Sequence, residues 1–310
     1  MSKFILERID IDMDMVEVGN EFIKQLEKDG KNPLTLKSYK RDVDRFHKRL
    51  GINTLEDLNK LTKRDVATDY VNELIDSYAP TTVNHNIAVL KIYFAFLVSS
   101  GYIKESLIYE RRKITVPPAK YKFLDTEEMD ALLELADNLK AERGYLGVRD
   151  ALVIQICLST GLRIFEVRKI KIQDINFKEG SVHVVGKGDI EGTLYLPART
   201  LRTLQEWLNI RSGLKIKEGH EDFLFISNRG TNISKRRLQQ IVEEYSEMAG
   251  KKVSSHKLRH TFATQMVGSG TCTDEELQGM LRHKHKTTTE LYRHTLEIGL
   301  KKSRQMPSFA

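Results

Sequence analysis

Tyr292 lies in the run Lys286-Thr287-Thr288-Thr289-Glu290-Leu291-Tyr292-Arg293-His294, nine residues after His283. Upstream come Arg163, Lys187, and the pair His256 and Arg259. A phenol is a weak nucleophile at its ordinary pKa. Cationic groups that neutralise charge growing on phosphorus oxygens let it attack a phosphodiester. The chain has 11 tyrosines, so only this company singles out Tyr292.

Each upstream group also has a plainer reading. Arg163 follows Thr160-Gly161-Leu162, where a glycine turn sets it at the start of a helix with Glu166 on the same face. A carboxylate there can orient the guanidinium, yet taken alone the two form an ordinary surface ion pair. Lys187 stands between Gly186 and Gly188 in an expected hairpin turn. It is either a solvated turn lysine or a mobile proton donor; the phosphate-loop pattern GxxxxGK[ST] is absent. His256 and Arg259 follow Ser254-Ser255, an expected N-cap, and project from one face of a helix N-terminus that favours an anion. His256 and His260 have HxxxH spacing, but a zinc-protease helix needs glutamate after the first histidine, and Lys257 stands there. No metal is expected, and His260 reads as a packed structural histidine.

The elements that must position these groups follow from periodicity. Four helices are predicted in residues 14–104, carried by Val18/Phe22/Leu26, Leu36/Tyr39/Val43/Phe46/Leu50, Val66/Tyr70/Leu74 and Val83/Ile87/Leu90/Phe94/Leu97. Gly30, Gly51 and Gly101 mark helix ends, and Thr62 with Asp65 forms a capping box. Lys37, Lys40, Arg41, Arg45, Lys63, Arg64 and Lys91 together make a phosphate-tracking surface, though each singly is a solvated residue. Residues 105–120, with Arg111-Arg112-Lys113 and Pro117-Pro118, read as an extended linker. The second domain spans 121–310. It opens on a helix capped by Asp125 and Glu128, followed by an apolar helix, Ala151 to Leu158, ending at Gly161. Short strands are expected at Val182–Val185, Leu194–Leu196 and Leu224–Ile226. Helices follow at about 198–211, 234–248, 256–268, 274–281 and 287–305. The fold is mainly α with a small antiparallel sheet.

Composition agrees with a globular chain: 40% hydrophobic, 30% charged, with a net charge of +7 that favours a polyanionic partner. The two cysteines, Cys157 and Cys272, give no disulfide framework, and Cys157 reads as a buried thiol. The N-terminus lacks a signal-peptide core. No stretch reads as long and apolar enough to span a bilayer, so a cytoplasmic protein without membrane contact is expected.

Thr160-Gly161-Leu162-Arg163-Ile164-Phe165-Glu166, Val185-Gly186-Lys187-Gly188, His256-Lys257-Leu258-Arg259-His260-Thr261-Phe262-Ala263-Thr264 and His283…Tyr292 resemble the successive motifs of the tyrosine recombinase/integrase family. Leu34-Thr35-Leu36-Lys37-Ser38-Tyr39 and its helices resemble the family's SAM-like core-binding domain, so the resemblance covers nearly the whole chain. It implies a helical core DNA-binding domain at 1–104 and a mixed α/β catalytic domain at 121–310. It further implies Tyr292 as nucleophile, Arg163, His256, Arg259 and His283 around the scissile phosphate, Lys187 as donor to the leaving 5′ oxygen, and Glu166 supporting Arg163. No cofactor is implied. The implied partners are double-stranded DNA with specific sites and a homotetramer exchanging strands through a Holliday junction, with the tail helix docked on a neighbouring protomer.

A topoisomerase IB-like nicking and religating enzyme, or an inactive DNA-binding accessory protein, are the alternatives. No further DNA-binding domain is expected before the first helix, which is closer to compact Xer-like or transposon recombinases. The chain departs from the family in having Leu281-Arg282-His283 where Leu-Gly-His is usual. Lys286 replaces an apolar residue, the segment from Gly270 to Leu281 is about one residue longer, and His285 competes with His283 for the catalytic register.

Overall fold

The computed structural model describes residues 12–109, 114–116, 123–186, 190–270 and 272–282. The chain forms two compact units, residues 1–119 and 120–310.

In the first unit, α1 (Met15–Lys28) and α2 (Pro33–Leu50) start on side-chain caps. Asp14 accepts from the Val16 N–H at 2.7 Å and Asn32 from the Leu34 N–H at 2.9 Å. Gly51 ends α2 in the left-handed region, where a side chain would be strained. A short helix that periodicity did not predict, α3 (Leu55–Lys60), is built on a Thr54–Asp57 capping box. The third predicted helix is three pieces: α4 (Lys63–Asp65), a π-helical turn (Val66–Asn72) and α5 (Glu73–Ser77). The Thr62–Asp65 capping box starts it as expected, and Val66, Tyr70 and Leu74 are buried.

Helix α6 (Pro80–Ser99) corrects the membrane expectation, because its length and composition would suffice to cross a bilayer. Its apolar character has another cause. Val83, Leu90, Tyr93, Phe94 and Leu97 are buried in one core with Phe22, Phe46 and Tyr70. Two hydrogen bonds are carried into that core: Tyr70 donates to Asn86 Oδ1 at 3.0 Å, and His47 Nε2 meets the Tyr93 hydroxyl at 3.0 Å. Beyond α6, Ile114 is clamped by Asn84, which donates to its carbonyl at 2.8 Å and accepts from its N–H at 2.9 Å. Of the seven basic residues expected to form a phosphate-tracking surface, Lys40, Arg41, Arg45 and Lys63 hold ion pairs with Asp44, Asp42 or Glu105.

The second unit opens on α7 (Thr126–Thr160), started by the expected Asp125–Glu128 capping box and interrupted at Gly144. Its second half, including Ala151 to Leu158, is buried, as the all-apolar sequence requires. Then come α8 (Ile164–Lys169), a 3-10 turn (Ile172–Asp174) and an antiparallel sheet of β1 (Ile175–Asn176), β2 (Ser181–Val185) and β3 (Glu191–Tyr195). Val182 faces Leu194 across the hairpin, which buries one face of each strand. The third strand is therefore β1, and Leu224–Ile226 is no strand. Its segment is held by side chains: Trp207 Nε1 donates to the Leu224 carbonyl at 2.9 Å, and Arg211 donates to the carbonyls of Glu221 and Phe223. Helices α9 (Ala198–Ser212), α10 (Lys235–Met248), α11 (Ser255–Ser269) and α12 (Asp274–Leu281) complete the described part, close to their predicted bounds.

Candidate active site

The site is assembled from three chain segments that meet around Gly161. This glycine caps α7 with φ 61°, and a Cβ on it would stand 2.4 Å from a ring carbon of Phe262. Conformation and space both demand glycine there. The turn delivers Arg163 to the N-cap of α8, with its side chain one-third exposed (33%).

Glu166 is not the surface residue that the local sequence suggests. Its side chain is 3% exposed, and its carboxylate reaches back to the start of α8. One oxygen accepts from the Arg163 backbone N–H at 2.8 Å and the other from the Arg163 guanidinium at 3.1 Å. A second arginine, Arg282, donates to the same carboxylate at 2.8 Å with a side chain 1% exposed. Burial pushes the Glu166 pKa up, but Arg282, then the Arg163 N–H and guanidinium, outweigh it and hold the group below the usual carboxylate range. Glu166 is a fixed anion between two arginines.

Arg259 ties the segments together. Its guanidinium is buried and donates to the Gly161 carbonyl at 2.7 Å and to the Leu281 carbonyl. It thereby joins α11 to the turn before Arg163 and to the end of α12. His256, one turn earlier on α11, has an exposed side chain. Desolvation first, then the charges of Arg259, Arg163 and Lys235, hold its pKa below the ordinary histidine value. A neutral imidazole beside two arginines results, with one nitrogen to donate and one to accept. Ser254 takes the N-cap position of α11, but its side chain makes no cap hydrogen bond, contrary to the expectation from Ser254-Ser255. His260 is half-buried, and burial, then His256 and Arg259, lower its pKa.

Arg282 is the residue that sequence reasoning passed over, as a mere departure from the family pattern. It caps α12 with φ 51°, and no other described non-glycine residue has positive φ. That conformation costs a β-carbon-bearing residue roughly 1–3 kcal/mol, so it persists only because the surrounding contacts hold it. The signal available in the sequence was a long cation standing where the pattern wants glycine.

The structure thus brings Arg163, Glu166, His256 and Arg259 together. Lys187, His283, His285, Tyr292 and the predicted helix 287–305 lie outside the described residues. Gly186, which precedes Lys187, donates its N–H to the Ile190 carbonyl at 2.8 Å and so closes the described arms of the hairpin. Among the described residues no cluster of histidine, cysteine, aspartate or glutamate could hold a metal. Cys157 is buried as expected, and burial raises its thiol pKa to about 12.

Comparison with known proteins identifies the family. The family described as "Phage integrase family" matches residues 122–297, and "Phage integrase, N-terminal SAM-like domain" matches residues 20–101. Tyrosine recombinase XerA of Pyrococcus furiosus is 30% identical over 93% of this chain and 92% of its own. Tyrosine recombinase XerC of Thermodesulfovibrio yellowstonii is 29% identical over 86% and 87%. Among solved structures, the XerH site-specific recombinase bound to palindromic difH substrate in a post-cleavage complex superposes with a TM-score of 0.73 at 22% identity, covering 92% of this chain and 84% of that one. A lambda integrase dimer bound to a COC′ core site gives 0.70 at 17% identity, covering 89% and 97%. At those identities the structures speak for the fold, while the family matches cover both units. The chain belongs to the phage integrase family, the tyrosine recombinases, and is a DNA strand-transferring enzyme.

Proposed function

We propose that this protein is a site-specific recombinase that cleaves and rejoins DNA through a 3′-phosphotyrosyl link. The observation that carries the proposal is the convergence of Arg163, His256 and Arg259, locked by the bond from Arg259 to the Gly161 carbonyl. The Tyr292 oxygen attacks the scissile phosphorus and forms a P–O bond as the bond to the 5′ oxygen breaks. Neutral His256 can take the phenol proton, and Lys187 gives one to the leaving oxygen, so protons balance without a metal. Arg163, Arg259 and His283 face the phosphate oxygens, where preorganised donors act on developing charge. Energy kept in the phosphotyrosyl bond lets the step reverse onto a second strand, so no nucleotide cofactor is called for.

On this reading, residues 1–104 and 121–310 hold DNA as two domains joined by 105–120. Four protomers exchange strands through a Holliday junction, with the tail helix docking on a neighbour. The biological setting is integration or excision of a mobile element, or dimer resolution. The test uses a nicked suicide duplex carrying the site recovered by selection from random duplex DNA. The parent traps a covalent protein–DNA adduct and Tyr292→Phe does not. An adduct from Tyr292→Phe would overturn the nucleophile assignment. Recombinant products from a two-site plasmid separate recombination from relaxation alone.

A further inference from the structure

Arg282 has three unusual properties at once: a buried guanidinium, a left-handed backbone, and a carboxylate partner that is also the partner of Arg163. The hairpin makes room for it. A Cβ on Gly186 would stand 3.2 Å from Arg282 Cδ and Nε and 3.2 Å from a Glu166 oxygen, and one on Gly192 3.8 Å from Arg282 Cδ. The stem of Arg282 therefore lies over two hairpin glycines, and its donor to the Met280 carbonyl at 3.1 Å fixes the other end of the fork.

The charge count gives this packing a consequence. A buried carboxylate with Arg163 as its only cation would hold that guanidinium inward and cancel its charge. With Arg282 as second counter-ion, the cluster keeps one positive charge in excess, and it sits on the arginine that is one-third exposed. We propose that Arg282 is a positioning residue for strand cleavage: by sharing Glu166, it leaves the Arg163 guanidinium oriented and charged toward a phosphate. This rests on the reading of Arg163 as a phosphate-facing group.

The experiment measures single-turnover cleavage by the full-length protein on two suicide duplexes. One carries the natural phosphodiester and the other a methylphosphonate at the scissile position. The methyl group removes the anionic charge, and with it the need for a cation at that oxygen. Arg282→Gln should lose about 10–100-fold on the phosphodiester, the range for a residue acting through another. Its deficit on the methylphosphonate should shrink to a few-fold. Adding Glu166→Gln to Arg282→Gln should recover part of the phosphodiester rate, because no uncompensated carboxylate then remains to hold Arg163. Gly186→Ala keeps every charge and presses only on the Arg282 stem and Glu166. It should show a smaller loss with the same substrate dependence, and it keeps the test alive if Arg282→Gln does not fold.

Equal losses on both duplexes in Arg282→Gln or Gly186→Ala would overturn the inference. Arg163→Ala is run beside them. If it too loses equally on both, the reading of Arg163 fails. If it is rescued and the Arg282 and Gly186 variants are not, the Arg282 inference fails alone.

Discussion

Among the described residues of the second unit, two buried carboxylates each bind two arginines, and they end in opposite states. Asp150 is paired with Arg149, whose side chain is 3% exposed and also donates to the Ile226 carbonyl at 3.1 Å. Its second arginine, Arg237, is 37% exposed but turns to Glu244 at 2.7 Å. That cluster closes on itself electrically and ties α7 to α10. Glu166 likewise has one buried arginine and one partly exposed arginine, Arg282 and Arg163. No other described carboxylate pairs with Arg163, so charge is left over where the chain can meet an anion. The same side chains build a strut in one place and a site in the other, and the difference is one additional glutamate.

Breaking the Asp150 cluster should give the largest effect. Asp150→Ala strands the buried Arg149 and should cost about 3–5 kcal/mol of stability, read from denaturant midpoints. Cleavage per folded molecule should hardly change. Arg163→Ala inverts that pattern: cleavage of the phosphodiester should fall by about 10²–10³, as for loss of one preorganised donor. The midpoint should move by under about 1 kcal/mol, because the side chain is partly solvated and Arg282 still serves Glu166.

Acid should sharpen the contrast further. The folded state holds Glu166 below its ordinary 4.5, so it contributes stability fully present above that pH and lost as pH falls through the folded value. Denaturant midpoints at pH 7 and pH 4 should therefore drop more for the parent than for Glu166→Gln. An equal drop would deny Glu166 its place as a fixed anion. The smallest effect belongs to Arg237→Gln, about 0–1 kcal/mol, since its guanidinium is partly solvated and Arg149 still pairs with Asp150. A cost near that of Asp150→Ala would show Arg237 to be as much a part of the strut as Arg149.

Much of the fold was legible because its signals are local. Caps at Asp125–Glu128 and Thr62–Asp65 involve residues three apart, and the bounds of α9 to α12 follow from a repeat that each helix carries within itself. Where the reading failed, the deciding partner was distant. Leu224–Ile226 looked like a strand, but Trp207 took the Leu224 carbonyl and Arg149 the Ile226 carbonyl. The apolar run of α6 is explained only by the ring cluster it enters. The pieces of α4 and α5 are separated by a π turn that no spacing of apolar residues announces.

By itself the sequence determined the order of the motifs, the family they belong to, and the glycine turn that presents Arg163. Those properties need only residue types and short spacings. Tertiary structure decided that Glu166 is buried, that Arg259 binds the carbonyls of two other segments, and that Arg282 closes the cluster. Arg282 and Glu166 are 116 residues apart. Whether a charge pair is a solvated accident or a buried device depends on what the folded chain excludes water from, and no short spacing encodes that.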